Sequence, residues 1–271
     1  MFWQYKRLRN TFDGVLTGKS LKWGGSLVRP EATGYGAVYF AEEMLKTRGD
    51  SLEGKRVAIS GAGNVAQHAA EKCLALGAKV VTFSDSSGFV TVKEGATREM
   101  WEKIMDLKNV RRGRVSELAD AFPGVTYHEG AGVWRVPCDV ALPCATRWEL
   151  DGDDAKALLE NGCTCISEGA NMPSTPDAVE FFVAKKLLFG PSKAANAGGV
   201  AISGLEMSQN SMRLAWTRDE VDEKLHDIMI RIHEACVTTA SEYGHAGNYV
   251  AGANIAGFVK VADSMIDQGL V

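Results

Sequence analysis

Hydrophobic residues from Arg56 onward alternate between short apolar runs and longer stretches with helical periodicity. Residues 56–60 (RVAIS) form the first apolar run, and in 63–76 the apolar residues recur three or four positions apart, which predicts a helix. The run 78–84 (AKVVTFS) is apolar almost throughout, as expected for a strand buried on both sides. This alternation predicts an α/β fold, a doubly wound Rossmann-type, mostly parallel sheet with helices on both faces.

The pattern continues toward the C-terminus and then changes character after Gly199. We predict further strands at 138–142, at 164–168 and near Leu188. We predict further helices at 97–109, 153–160 and 176–184. Beyond them, helical periodicity without a strand signal runs through 203–215, 218–243 and 255–268. The chain therefore divides into a lead-in segment (1–32), a dinucleotide-binding domain (33–202) that opens with a helix at 33–47, and a C-terminal helical segment (203–271).

A glycine-rich turn joins the first predicted strand to the helix after it. Gly61 permits the tight turn, and Gly63 lets the backbone approach a pyrophosphate at the helix N-terminus. Asn64 and Val65 begin the helix, and Asp85 ends the second predicted strand, so the context matches the dinucleotide fingerprint. We predict that the backbone amides of this turn bind the paired phosphates of a dinucleotide.

The residues around Asp85 bear on which dinucleotide is bound. An acid at this position usually accepts a hydrogen bond from the adenosine ribose, which by itself favours NAD. Ser86 and Ser87 follow at once, however, and nearby cations could reach a 2′-phosphate there. Each of these cations could equally be part of a solvated helix face; they are Lys93, Lys108, Arg111 and Arg112. NADP is favoured, and NAD is the alternative.

Composition and charge exclude several classes of function. Hydrophobic residues make up 45% and charged residues 24% of the 271 positions, as in soluble globular proteins. The net charge of −4 gives no electrostatic reason to expect nucleic acid or a membrane surface as a partner, and no apolar run is long enough for a membrane span. A cytoplasmic location is expected. The six cysteines lack zinc-site spacing, so we expect reduced, buried thiols and no metal.

Six motifs occur in an order that identifies a family. They are GSLVRPEATGYG at 25–36, GAGNVA at 61–66, SDSSG at 84–88, LPCAT at 142–146, EGANMP at 168–173 and KAANAGGV at 193–200. With them the chain resembles, over essentially its whole length, the glutamate dehydrogenases of the glutamate/leucine/phenylalanine/valine dehydrogenase family. The NADP-linked hexameric type is the most similar.

The resemblance implies roles for matching positions around the cofactor. Thr33 would bind the nicotinamide carboxamide, and Asn64 and Val65 would contact the pyrophosphate. Ser86 and Lys108 would help to hold the 2′-phosphate of NADP. Three further residues would line the crevice at the carboxyl ends of the strands, where such sheets place ligands; they are Ala145, Thr146 and Asn171.

The resemblance also implies substrate-binding residues, each with a structural alternative. Ser203 would bind the side-chain carboxylate of the substrate, with Arg29 and Asn196 near the same site. Arg29 could instead belong to a buried ion pair, and Asn171 and Asn196 could serve only to make turns. Ser203 could also be a helix N-cap, with Glu206 completing a capping box.

The implied reaction is the reversible oxidative deamination of L-glutamate to 2-oxoglutarate and ammonium. Its proton transfers need a lysine of lowered pKa and a carboxylate, which in the family lie in a preceding substrate domain. Neither motif occurs in these 271 residues, so no catalytic residue is assigned. We expect a fragment that is inactive alone and whose helical tail from about Ala246 is exposed or frayed. A homo-hexamer is expected for full-length members.

Two alternatives stay open at this point. Leucine, valine and phenylalanine dehydrogenases share the architecture but bind apolar side chains, and the hydroxyl of Ser203 argues against them. The absent motifs suggest the other alternative, a non-catalytic nucleotide-binding fragment.

Overall fold

A five-stranded parallel sheet and a three-stranded antiparallel sheet form the framework of the computed structural model, which describes residues 1–269. The strands are β1 (Arg56–Ile59), β2 (Lys79–Val80), β3 (Thr82–Asp85), β4 (Gly88–Val92), β5 (Val125–Glu129), β6 (Val140–Leu142), β7 (Cys165–Ser167) and β8 (Leu188–Gly190). The parallel sheet has the order β2-β1-β6-β7-β8, and the antiparallel sheet the order β3-β4-β5.

Helices cover the parallel sheet and continue beyond it. They are α1 (Phe2–Arg9), α2 (Ala32–Lys46), α3 (Asn64–Ala75), α4 (Arg98–Met105), α5 (Glu117–Ala121), α6 (Gly152–Glu160), α7 (Pro176–Ala184), α8 (Ser192–Ala195), α9 (Gly198–Met212), α10 (Arg218–Glu242) and α11 (Tyr249–Gln268). A capping box of Asp151 and Asp154 starts α6, and one of Thr217 and Glu220 starts α10. The predicted Rossmann-type sheet with a helical C-terminal segment is confirmed.

The parallel sheet has a separate hydrophobic core on each face. Val57 and Ile59 of β1 pack into one cluster of buried residues, and Ala58 between them packs into the other. The strands are buried on both faces because side chains alternate across the sheet. The strands therefore read as continuous apolar runs, which is why the sequence located them.

The prediction of one strand at 78–84 is wrong. The parallel strand β2 ends at Val80, and β3, from Thr82, pairs antiparallel with β4. Val81 lies at the crossing: its N–H donates to Val57 of β1, and its carbonyl accepts from Val92. The chain thus passes from one sheet to the other within a single apolar run. Apolar residues suit both sheets, so periodicity alone could not separate the two strands.

The antiparallel sheet was not predicted. A hairpin turns at Ser86 and Ser87, so that Asp85 of β3 lies opposite Gly88 of β4. The third strand, β5, pairs with β4 although α4 and α5 lie between the two strands in sequence. The predicted helix at 97–109 corresponds to α4 followed by a wider π-helical turn at 106–110.

The lead-in segment is fastened to α9 by a buried ion pair. Lys19 Nζ lies 2.6 Å from Glu206 Oε1, and both side chains are almost completely inaccessible to solvent. Glu206 also accepts hydrogen bonds from the backbone amides of Gly18 and Lys19. Asn210, one turn further along α9, donates to the carbonyl of Gly24. These contacts hold residues 18–24 of the lead-in segment against α9.

The C-terminal helices pair with each other but leave one surface open. Helix α11 buries only Tyr249 and Gly252. It exposes four large apolar side chains, Phe258, Val261, Met265 and Ile266. Over residues 1–269 no helix is both long enough and apolar enough to cross a membrane. All six cysteines are unpaired and buried, as predicted.

Candidate functional site

A crevice opens at the point where the order of strands in the parallel sheet reverses. Strand β1 lies between β2 and β6, so the chain runs from β1 outward on one side and returns to β6 on the other. Open α/β sheets bind ligands at such a switch point, beyond the carboxyl ends of the strands. Two cavities of about 480 and 610 Å³ lie there and share three residues of the turn after β6, namely Cys144, Ala145 and Thr146. They form the two halves of one crevice.

The glycine turn faces the first half of this crevice. Gly61 has a φ of +83°, and a Cβ there would lie 3.2 Å from Ala145, so the turn requires glycine. Gly63 opens on empty space and precedes α3, whose first turn carries no side-chain cap. The Asn64 side chain donates to the carbonyl of Pro30, at 2.7 Å. The amides that begin α3 are thus available to an anion.

Asp85 ends β3 at the far side of this first half, but its carboxylate is already occupied. Oδ1 accepts from the backbone and hydroxyl of Ser87 (3.0 and 2.6 Å), and Oδ2 accepts from Val115 N (3.0 Å) and Lys108 Nζ (3.2 Å). Burial would raise the pKa of Asp85, but these hydrogen bonds outweigh it and lower the pKa to about 2. The predicted contact to a ribose would therefore have to compete with four protein hydrogen bonds.

Cations and hydroxyls surround Asp85. Lys108 lies on the π-helical turn and lines the crevice together with Ser86. Arg114, which is not among the cations predicted from the sequence, donates to the Ser86 hydroxyl at 2.8 Å. Arg111 instead pairs with Glu117. Arg114 belongs to the basic run at 111–114, so a count of local charge would have included it.

The second half of the crevice brings together residues from distant motifs. Thr33, Val65, Asn171 and Asn196 all line it, together with Arg29. The side-chain amide of Asn196 donates to the side-chain oxygen of Asn171 at 2.7 Å, which links the end of α8 to the loop after β7. A side chain at position 199 would collide with the Thr33 hydroxyl, so a glycine there leaves this hydroxyl room.

Arg29 lines the crevice without the buried ion pair that was predicted as its alternative role. Among residues 1–269 it forms no ion pair, and its Nε is buried without a hydrogen-bond partner. The predicted alternative of a buried ion pair is therefore wrong. An unpaired guanidinium in the wall of a crevice is suited to an anionic ligand.

Ser203 is not among the residues that line either half of the crevice. Its hydroxyl donates to the carbonyl of Gly199, one turn earlier in α9. The alternative of a helix N-cap with Glu206 is wrong, because α9 begins at Gly198 and Glu206 pairs with Lys19. Gly199 itself does line the crevice, so Ser203 lies one helical turn away from it.

Comparison with known proteins gives a consistent family. The sequence profile of the glutamate/leucine/phenylalanine/valine dehydrogenases matches residues 24–269. The NADP-specific glutamate dehydrogenase of Giardia intestinalis is 58% identical and the NAD-specific glutamate dehydrogenase of Bacteroides fragilis 51% identical, each over the whole of this chain and 61% of its own length. The crystal structure of Plasmodium falciparum glutamate dehydrogenase superimposes with a TM-score of 0.97 at 50% identity, over all of this chain and 58% of that one. This chain spans about three fifths of the length of these relatives and belongs to the glutamate/leucine/phenylalanine/valine dehydrogenase family.

Proposed function

We propose that this chain is the cofactor-binding part of an NADP-dependent glutamate dehydrogenase, which catalyses the reversible oxidative deamination of L-glutamate to 2-oxoglutarate and ammonium. The cofactor supplies the hydride acceptor or donor. In this chain the amides of Gly63, Asn64 and Val65 would hold its pyrophosphate. Ala145, Thr146, Thr33 and Asn171 would surround its nicotinamide half, as the lining of the crevice supports.

The arrangement around Asp85 is the observation that carries the choice of NADP. Its carboxylate is committed to Ser87, Lys108 and Val115, so it is a poor acceptor for a ribose 2′-hydroxyl. Ser86 and Arg114 add a hydroxyl and a second cation beside it. A 2′-phosphate needs such a set of donors, since charge-assisted hydrogen bonds to phosphate are the strong ones. The relatives include both NADP-specific and NAD-specific enzymes, so the family alone does not decide the cofactor.

Fluorescence titration with NADPH and with NADH tests this choice. We expect NADPH to bind the chain more tightly. Arg114→Met should weaken NADPH binding about tenfold by removing one charge-assisted contact and leave NADH unchanged. Lys93→Met, at an exposed position outside the crevice, is the matched control. Equal losses for both nucleotides in Arg114→Met would contradict the assignment.

We also propose that the chain alone turns over slowly or not at all. The family's catalytic lysine and aspartate motifs do not occur in its sequence, so a bound cofactor has no partner for proton transfer. A steady-state assay with NADPH, 2-oxoglutarate and ammonium checks this, and a rate comparable with a full-length homologue would contradict it. A homo-hexameric assembly and a cytoplasmic location are proposed for the full-length protein on resemblance alone.

The substrate side follows from the same crevice. Arg29 offers an unpaired guanidinium near Asn171 and Asn196, which is suited to a carboxylate of a dicarboxylic amino acid. Ser203 does not reach this wall, so its proposed contact to the side-chain carboxylate rests on resemblance. With the remaining domain supplied, Ser203→Val should lower glutamate activity relative to leucine if the contact exists. An unchanged ratio would remove Ser203 from the site.

A further inference from the structure

Glu149 is an ionisable residue in the wall of the crevice that no motif indicates. It follows the turn after β6, and its side chain lines the half of the crevice that contains the glycine turn. Its Oε1 accepts hydrogen bonds from Ala145 N at 2.9 Å and Thr146 N at 3.2 Å. Ala145 and Thr146 are also two of the residues shared by both halves of the crevice. One carboxylate oxygen therefore closes the turn on which both halves depend.

The same residue connects this turn to two other parts of the wall. The hydroxyl of Ser60, at the end of β1, accepts from Cys144 N at 2.9 Å and lowers the pKa of the Glu149 carboxyl. The indole of Trp134 donates to the Glu149 carbonyl at 3.2 Å. The end of β1, the turn after β6 and the segment that precedes β6 thus meet at Glu149. We therefore expect a substitution of Glu149 to alter the shape of both halves of the crevice.

The charge of Glu149 is unusual for its place. Burial raises the pKa of its carboxyl, and Glu168 at the end of β7 raises it further, whereas the Ser60 hydroxyl and the two amides lower it; the net direction is upward. The other charged residues that face it across the cavity or share its turn are Asp85, Lys108, Asp154 and Arg147. Phosphates bound at the glycine turn would add negative charge to the same cavity, which favours the neutral carboxyl.

We propose that Glu149 positions the Ala145–Thr146 turn of the nucleotide crevice, and that it takes up a proton when the phosphates of a nucleotide enter. The proposal rests on the proposed nucleotide-binding function and deepens it, because it makes affinity depend on pH through one residue. Protonation leaves one oxygen of the Glu149 side chain as an acceptor for the two amides of the turn. It also removes the repulsion between the Glu149 carboxylate and the phosphates. Nucleotide binding should therefore strengthen as the pH falls through the titration of Glu149.

Backbone amide NMR on the 271-residue chain tests both parts. In the free protein the amides of Ala145 and Thr146 should shift together with pH, with a midpoint above the ordinary 4.5 of a glutamate. In Glu149→Gln, which keeps the acceptor oxygen but cannot titrate, this transition should be absent. With saturating NADH, whose phosphates do not titrate in this range, the wild-type midpoint should rise by about one pH unit.

Affinity measurements separate the positioning role from the charge. Glu149→Leu, which lacks any acceptor, should weaken NADPH binding about tenfold because the two amides lose their partner. Glu149→Gln should bind NADPH at least as tightly as wild type at neutral pH, and its binding of NADH should lose the pH dependence. Glu160→Leu, at the exposed end of α6, removes a carboxylate without touching the crevice and should change nothing.

The outcomes are distinguishable from a failure of the proposed function. If NADH shifts the amides of Gly63 to Val65 but leaves the Glu149 midpoint where it was, the proton uptake is overturned while nucleotide binding stands. If Glu149→Leu binds NADPH like wild type, the positioning role is overturned. If neither NADPH nor NADH perturbs any amide, the proposed function fails and the coupling fails with it. The titration of the free chain then still decides whether Glu149 holds the turn.

Discussion

At the scale of single residues, Asp85 has the position of the acid in a dinucleotide fingerprint, but its contacts differ from those such an acid usually makes. It ends β3 where an acid would accept from a ribose, yet Ser87, Lys108 and the Val115 amide occupy its oxygens. Its charge is therefore used within the protein, where it orders the cations that we propose for a 2′-phosphate. The pattern of residue types predicted the place of this acid, and only its contacts defined its role.

Asp85→Asn should reduce stability in a pH-dependent way. Because the pKa of Asp85 falls to about 2 in the folded chain from an ordinary 3.8, its charge stabilises the fold above about pH 4. This contribution, about 2 kcal/mol, is lost as the pH falls toward 2. Urea unfolding at several pH values should thus show a difference between wild type and variant at pH 7 that shrinks below pH 4. Asp263→Asn, on an exposed face of α11, is the control; a difference independent of pH would point to packing instead.

At the scale of elements, the contact between α2 and α3 places the cofactor-binding turn. Gly34 in α2 packs directly against the backbone of α3, where an added Cβ would lie 2.5 Å from Ala69 N and 2.6 Å from Val65 O. Helix α3 carries the amides that face the crevice. The position of those amides therefore depends on how closely α2 approaches.

Gly34→Ala should force the two helices apart. We expect a loss of about 2 kcal/mol in unfolding free energy, as for an overpacked core, together with weaker NADPH binding. Gly204→Ala is the matched control, because position 204 lies within α9 and its Cβ would meet open space. That substitution should stabilise the chain by up to about 1 kcal/mol through helix propensity. Thermal unfolding of both variants measures the contrast, and similar behaviour of the two would refute it.

At the scale of the whole molecule, the lead-in segment and the C-terminal helical segment are held together by charge inside the protein. Lys19 and Glu206 are separated by 187 positions in sequence and form a pair that solvent barely reaches. A buried pair stabilises only relative to its broken form, because removal of one partner leaves an unpaired buried charge. The pair therefore specifies where the lead-in segment lies.

Lys19→Met should destabilise the chain by about 3 kcal/mol, since Glu206 would remain charged and buried without its cation. Lys156→Met breaks the exposed pair with Asp153 and should cost less than about 1 kcal/mol. Chemical denaturation of both variants gives the comparison. The double variant Lys19→Met with Glu206→Leu should recover part of the lost unfolding free energy. If Lys19→Met alone is no less stable than Lys156→Met, the pair is not buried in solution.

Sequence by itself determined the parts whose signals are local. The run from Arg56 through Gly61 to the start of α3 combines an apolar strand, a required glycine and a helical repeat within a few turns, so it could be located without any partner. The alternation of strands and helices gave the fold class for the same reason. The order of six motifs gave the family.

Tertiary structure decided whatever depends on partners far away in the chain. Val81 could not reveal that it crosses between two sheets, because its partners Val57 and Val92 lie in different strands and apolar residues suit both. Glu149 and Arg114 gain their roles from residues that reach them only on folding. Hydrophobic periodicity records which face a residue buries but not which atoms lie against it. The chemistry of the crevice belongs to those contacts.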